Sequence, residues 1–378
     1  MNVVHRWHPS GLRSARQRRI LAQWVTVFVI VALAGLLHSW SSSIKAWDRA
    51  LLPQLDHVTR QAAPPQTGRT WPPRLPRLGT GLVLGYLYDP NAPATALNQL
   101  RQLTPVLTGV AADWYSVDAA GQISGQTQAG VVRFAERHHL LNLAVVEQTD
   151  PTVLSALLAN SSAEQRAMEQ MLTMVESDRF AGVNLDWEGI VPADRGRFNR
   201  FVGQLGTLFH AHGYYVTLSV PAETASQPLN SWTGAYDYPV LGREADLLMI
   251  MAYDQHWSGG QPGPIASTAW VRSVLSYTIS AVPHQKVVLG IPGYGYDWNG
   301  EGAVALSFVQ AEGLKHQYAP SAHGNHFQYL QNGVVHSVWF ENTQSFLNKV
   351  HLVSGFELRG IVLWRIGIED PKIWDFLQ

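Results

Sequence analysis

The feature that most restricts this chain is a recurrence. From Gly81 onward, eight apolar, strand-like runs occupy residues 82–88, 106–116, 140–146, 180–188, 214–220, 245–254, 286–296 and 359–367, and most are followed by a segment able to form a helix. The clearest helix lies over 162–177, with Met168, Met171, Leu172 and Val175 at helical spacing; another lies over 195–212, with Phe198, Phe201, Val202, Leu205 and Leu208. Buried strands alternating with helices predict an α/β fold, a (β/α)8 TIM barrel. An open, doubly wound sheet is the competing arrangement. It carries an expectation of a Gly-rich phosphate loop after an early strand, and the sequence has no GxGxxG or Walker pattern. The gap between the seventh and eighth runs is longer than the others. Within it Asn332-Gly333 is flanked by strand-like residues over 327–340, a strong hairpin signal. Residues 300–345 therefore read as a small α+β insertion between strands 7 and 8, on the catalytic face.

The fourth run is unlike the other seven. Phe180-Ala181-Gly182-Val183-Asn184-Leu185-Asp186-Trp187-Glu188 alternates polar and apolar residues with the period of a strand. Asn184, Asp186 and Glu188 share one face, and Val183, Leu185 and Trp187 the other. Carboxylates are costly to desolvate, so two in a row along a buried strand point to chemistry. In a barrel of this kind catalysis takes place at the C-terminal strand ends, where Glu188 falls. Neighbouring carboxylates in a dry site raise each other's proton affinity, which suits a general acid at neutral pH.

Aromatic residues collect at the other strand ends. The sixth run closes on Met249-Ile250-Met251-Ala252-Tyr253-Asp254, which places Tyr253 and Met251 on one face. The eighth brings Trp364 to the barrel mouth, the seventh ends in Gly293-Tyr294-Gly295-Tyr296-Asp297-Trp298, and the first carries Tyr86. Trp114 sits near the end of the second. Flat apolar rings beside carboxylates suit pyranose sugars. Trp187 points away from the acids and reads as packing, as does Met249.

These residues resemble a known family. The fourth run is similar to the DxxDxDxE signature of glycoside hydrolase family 18, which includes chitinases and spore-cortex peptidoglycan glucosaminidases, and Met251-Ala252-Tyr253-Asp254 is similar to the family's M-x-Y-D. Residues 289–298 and 360–374, the latter with Glu369-Asp370-Pro371, look most like bacterial members near the spore-cortex branch. The resemblance covers about residues 82–378. It departs at two places: the family's first Asp is Ala181 here, and its next is Asn184. The resemblance implies a substrate-assisted, retaining glycosidase. Glu188 would be the proton donor and Asp186 the carboxylate that holds the substrate's acetamido group. Tyr253 would be a hydrogen-bond donor to that group and Asn184 a support for Asp186. Trp364 would floor the sugar, and Asp254, Met251, Tyr86, Tyr294 and Trp114 are the further candidates for substrate contact. The substrate would be an N-acetylated polysaccharide: peptidoglycan, a chitin-like polymer or an acetylated exopolysaccharide. The competing function is a non-catalytic, lectin-like sugar binder on the same fold. Such members usually lose the final Glu, which is present as Glu188.

Composition closes off other classes. The 378 residues include no cysteine, which excludes disulfides and thiolate chemistry, and the net charge of −1 gives no electrostatic footprint for nucleic acid. The fifteen histidines are scattered; His138-His139 and the cluster around His323 and His326 lack metal-site spacing, so no metal or other cofactor is expected. Ser219 is not in a G-x-S-x-G elbow.

The N-terminus has its own character. Residues 1–19 include Arg13, Arg16, Arg18 and Arg19 and read as a basic cytoplasmic segment. An apolar run from Ile20 to Leu37 follows, broken only by Gln23 and Thr26 and just long enough to span a bilayer. This predicts a single transmembrane signal-anchor over 20–38, with the remainder periplasmic or extracellular. A cleaved signal peptide is the alternative, although His38-Ser39-Trp40 offers no small-x-small site. Residues 39–80, with a short helix over 41–52 and then a Pro-rich stretch carrying Pro64-Pro65 and Pro72-Pro73, read as a juxtamembrane linker to the barrel at 81–378. The anchor suggests an envelope or exported polymer as substrate, and envelope polysaccharide machinery as a partner.

Overall fold

A computed structural model describes residues 81–88 and 93–377. The basic segment, the apolar run from Ile20 to Leu37, the helix over 41–52 and the linker lie outside the described residues. Among the described residues no helix is long and apolar enough to cross a membrane.

Eight parallel strands close on themselves. In chain order they are β1 (Leu82–Leu87), β2 (Gly109–Val117), β4 (Leu141–Gln148), β5 (Gly182–Trp187), β6 (Tyr215–Pro221), β7 (Leu247–Met251), β8 (Val287–Pro292) and β13 (Gly360–Trp364). Around the wall each pairs with the next, and β1 pairs with both β13 and β2 to complete the ring. A short strand β3 (Ile123–Gly125) folds back antiparallel on β2. All eight expected runs supply a barrel strand, and helices Ser161–Asp178 and Arg195–Ala211 stand where the periodicity predicts them.

Two apolar layers hold the barrel. The inner one is filled by Leu84, Ala111, Leu143, Val145, Leu247, Met249, Val288 and Val362, residues that face the axis. The outer one lies between strands and helices; here Trp187 packs against Phe198 and Phe201 of helix Arg195–Ala211, with ring centroids 6.1 and 4.8 Å away. That contact turns β5: its apolar side chains go out into the helix layer, so its polar ones must face the axis. Gly182 begins the strand because a Cβ there would collide with the Tyr215 carbonyl oxygen on β6.

The run over 286–296 is not one strand. β8 ends at Pro292 and, after Gly293, β9 (Tyr294–Trp298) leaves the barrel for a second, antiparallel sheet. This sheet has the order β10-β9-β12-β11, from β10 (Ala303–Ser307), β11 (His326–Gln331) and β12 (Val334–Phe340), with helix Phe308–Tyr318 between β10 and β11. It therefore begins at Tyr294 rather than near 300. The reason is local: Gly293 N–H donates to the Trp364 carbonyl at 2.7 Å, which ends the ladder to β13 and lets the chain turn. The β11–β12 hairpin turns at Asn332 and Gly333, with φ of 52° and 80°, the left-handed pair that a two-residue turn requires.

Candidate active site

The C-terminal strand ends open into a cleft of about 980 Å³. Asp186 and Glu188 line it together with Tyr253, Asp254, Met251, Tyr294, Tyr296 and Trp364, so the ends of β5, β7 and β13 and the insertion meet around one acid pair.

The row on β5 is anchored from below. Asn184 is fully buried, and its amide is used on both sides: Nδ2 donates to Thr217 Oγ1 at 3.0 Å, and Oδ1 accepts from Ser219 Oγ at 2.9 Å. The Tyr86 hydroxyl lies 2.6 Å from Ser219 Oγ and 3.3 Å from Met249 Sδ. Ser219 also acts on Asp186, opposing the rise in its proton affinity. Ser219 is thus the hub through which Asn184 and Tyr86 reach Asp186. A reading that only asked whether Ser219 was a nucleophile passes over that role.

Burial raises the Asp186 carboxyl well above the ordinary range, and Glu188, Asp113 and Glu147 add to the rise. Its Oδ1 is buried with no hydrogen-bond partner among the described residues. Glu188 is pushed up to about 7, first by burial and then by Glu147 and Asp254. A carboxyl in that range holds its proton through neutral pH and can release it, as a general acid that later serves as a base must. The Tyr253 phenol is raised well above its usual value by burial and by the surrounding acids, so it is a neutral donor. Its ring meets Tyr294 edge-on at 6.3 Å.

Asp254 has a left-handed backbone (φ 56°), which Asp tolerates better than most residues, and accepts hydrogen bonds from Tyr294 at 2.5 Å and Tyr296 at 3.1 Å. It lines the cleft and at the same time ties the end of β7 to the insertion. Trp364 lies edge-on to Tyr86 and Tyr88, with centroids 5.0 and 6.0 Å away, and presents its free face to the cleft.

Two expected contact residues are placed elsewhere. Tyr86 is only 2% exposed and lies beneath Trp364 in the barrel interior, committed to Ser219, so it braces the floor without lining the cleft. Trp114 belongs to the outer layer, edge-on to Phe180 at 6.4 Å. Alternation along β2 puts it there with Val110 and Ala112, opposite Ala111 and Asp113, and the bulge that follows Asp113 turns Tyr115 to the same side. The same strand aims Asp113 at the acids instead, where burial, Glu147 and Glu188 push it up to about 8.

Other participants went unread. Trp232 and Trp257 line the cleft and are 51% and 58% exposed, flat faces turned to solvent. Arg365 also lines it, stacked 4.9 Å over Tyr88. Trp257 follows Tyr253-Asp254 by three residues in the same loop, a signal available in the sequence. Trp232 lies in the long connection after β6, where nothing periodic marks it.

Known proteins share this arrangement. A family model described as Glycosyl hydrolases family 18 matches residues 123–369. The chain is 26% identical over 315 residues to the uncharacterized glycosylase YvbX of Bacillus subtilis, covering 79% of this chain and 91% of that one. It is 29% identical over 315 residues to the cortical fragment-lytic enzyme of Bacillus anthracis, covering 78% and 73%. The solved chitinase of Chromobacterium violaceum superposes with a TM-score of 0.71 at 29% identity, covering 79% of this chain and 98% of that one. With its barrel, its acid row and its Met-Ala-Tyr-Asp strand end in place, the chain belongs to glycosyl hydrolases family 18 and is a glycoside hydrolase.

Proposed function

We propose that this enzyme hydrolyses β-linked N-acetylglucosamine-containing polysaccharide with retention of configuration, using the substrate's own 2-acetamido group as nucleophile. The observation that carries the reading is the pairing of Glu188, a carboxyl poised near neutrality, with Asp186, whose buried Oδ1 has no partner among the described residues. Glu188 donates its proton to the leaving glycosidic oxygen as the acetamido oxygen attacks the anomeric carbon, giving an oxazolinium-type intermediate. Asp186 accepts the acetamido N–H and offsets the positive charge that develops. Tyr253 donates to the acetamido oxygen, and Trp364 supports the sugar ring. Glu188 then takes a proton from the incoming water, which opens the intermediate and restores the acetamido group.

The chemistry requires an N-acetylated sugar at the cleavage point. Incubating residues 81–378 with peptidoglycan, N-acetylglucosamine oligomers and poly-N-acetylglucosamine, with products read by mass spectrometry and the first-formed anomer by NMR, tests it. Product with the β anomer formed first is expected; the α anomer first, or no product from any acetylated glycan, refutes it. Glu188→Gln should abolish hydrolysis and keep oligosaccharide binding. The run from Ile20 to Leu37 would hold the enzyme at the cytoplasmic membrane with the barrel outside, beside machinery that makes or exports an envelope polymer; fractionation of the full chain with protease accessibility checks this.

A further inference from the structure

Asn184 removes a charge from the acid row: where the family signature has a second Asp below Asp186, this chain has a neutral amide whose hydrogen bonds are already satisfied. Two carboxyl groups from neighbouring strands approach the same place. Glu147, half-buried near the end of β4, is in register with Asp186 on β5. Asp113 reaches in from β2, buried, with Oδ2 lacking a hydrogen-bond partner among the described residues. Neither belongs to the β5 row or to the Met-Ala-Tyr-Asp strand end.

We propose that Glu147 is a positioning residue that keeps the proton on Glu188, supplying from β4 the negative charge that Asn184 withholds from β5, and that Asp113 on β2 adds to it on the alkaline side. This rests on Glu188 being the proton donor. The groups around Glu188 are consistent with the division of work. Asp186 shares its strand, Asp254 faces it from the end of β7, and Tyr86, Tyr236 and Tyr253 are neutral phenols. Arg365, the cation that acts on this cluster, pulls Asp113 downward. After burial, Glu147 is the largest influence on both Glu188 and Asp113, and it raises both. Glu147 is thus the neighbouring group that bears most on the pair. Asp113, raised to about 8, is a neutral acid at pH 7 and gains its own charge only on the alkaline side.

The sign of the effect follows. Removing a nearby negative charge makes Glu188 give up its proton at lower pH. Glu147→Gln should move the alkaline limb of kcat/KM down by about one pH unit. The loss should approach tenfold above pH 7, with little change near pH 5 and an unchanged KM. Asp113→Asn should act in the same direction but mainly above pH 8, and the double variant should have the lowest limb. The substrate is whichever acetylated glycan the wild type cleaves.

An infrared titration of the Glu188 carboxyl, as the difference between each protein and its Glu188→Gln counterpart, reads the same proton without turnover. A Glu188 titration and an alkaline limb that both stay at the wild-type position in Glu147→Gln would overturn the proposal. So would an equal loss at every pH, which is the mark of a structural role. If the wild type cleaves nothing, the failure lies with the proposed function, and the infrared shift still decides this inference. Should Glu147→Gln not fold, Asp113→Asn provides the same test above pH 8.

Discussion

Ser219→Ala is the perturbation that most directly tests how the acid row is held. Ser219 is 3% exposed, and its hydroxyl joins Asn184 Oδ1 at 2.9 Å and the Tyr86 hydroxyl at 2.6 Å. Alanine leaves Asn184 Oδ1 without that donor, and leaves Tyr86 with the Met249 sulfur at 3.3 Å. A buried polar group stripped of its partner costs roughly 1–3 kcal/mol, so about 2 kcal/mol of folding stability should be lost. The rate should change for a separate reason. The hydroxyl favours the charged form of Asp186, and without it the carboxyl rises further from the ionised state that the developing cation needs. One pH unit corresponds to 1.36 kcal/mol, or about tenfold in rate. Urea unfolding and steady-state hydrolysis on the same preparation separate the two effects; kcat should fall about tenfold while KM holds. A stability change under about 0.5 kcal/mol with kcat intact would show that the row stands without its hub.

Four further outcomes are expected. Tyr253→Phe should lower kcat by about 10²–10³, as the loss of a donor aimed at developing charge does, with binding little affected in equilibrium titration. Trp364→Ala should weaken oligosaccharide binding by about tenfold, since the sugar loses its aromatic floor, and calorimetry on Glu188→Gln protein reads this without turnover. Lys349→Met should cost about 3 kcal/mol in denaturant melts at neutral pH, because it leaves Glu341 buried without the ammonium that neutralises it. Stability should also depend on pH. Asp113 and Glu188 rise from ordinary carboxylate values to about 8 and about 7 on folding, so the folded chain binds more protons than the unfolded one. Their contribution is complete below about pH 4 and is lost as pH climbs toward 8. Urea midpoints should fall across that window, and Asp113→Asn should flatten the fall.

The barrel was legible because its signal is repeated: eight runs and the intervening helical spacing agree with one another, and Trp187 marks which side of β5 faces the helices. The buried acid pair was legible for the opposite reason, as the one place where the pattern turns inside out. What escaped was set by irregularity or by distance. The β2 bulge turned Tyr115 to the helix side beside Trp114, and no count of alternating residues can see a bulge. Ser219 works through partners on other strands, Asn184 and Tyr86 lying 35 and 133 residues away, a relation that appears once the strands are assembled. The break at Gly293 depends on the Trp364 carbonyl, supplied by a strand some seventy residues later.

That break has a consequence for how such an enzyme can change. With Gly293 as the only residue between β8 and β9, and Asp254 bound to Tyr294 and Tyr296, the start of the inserted sheet is rigidly registered to the catalytic strands. Its far end, the turn at Asn332-Gly333, is free of that registration. The architecture thus separates a fixed reference edge from an adjustable one. Hairpins of different length can be exchanged beyond β9 to reshape the cleft, while the geometry of the acid pair is inherited unchanged.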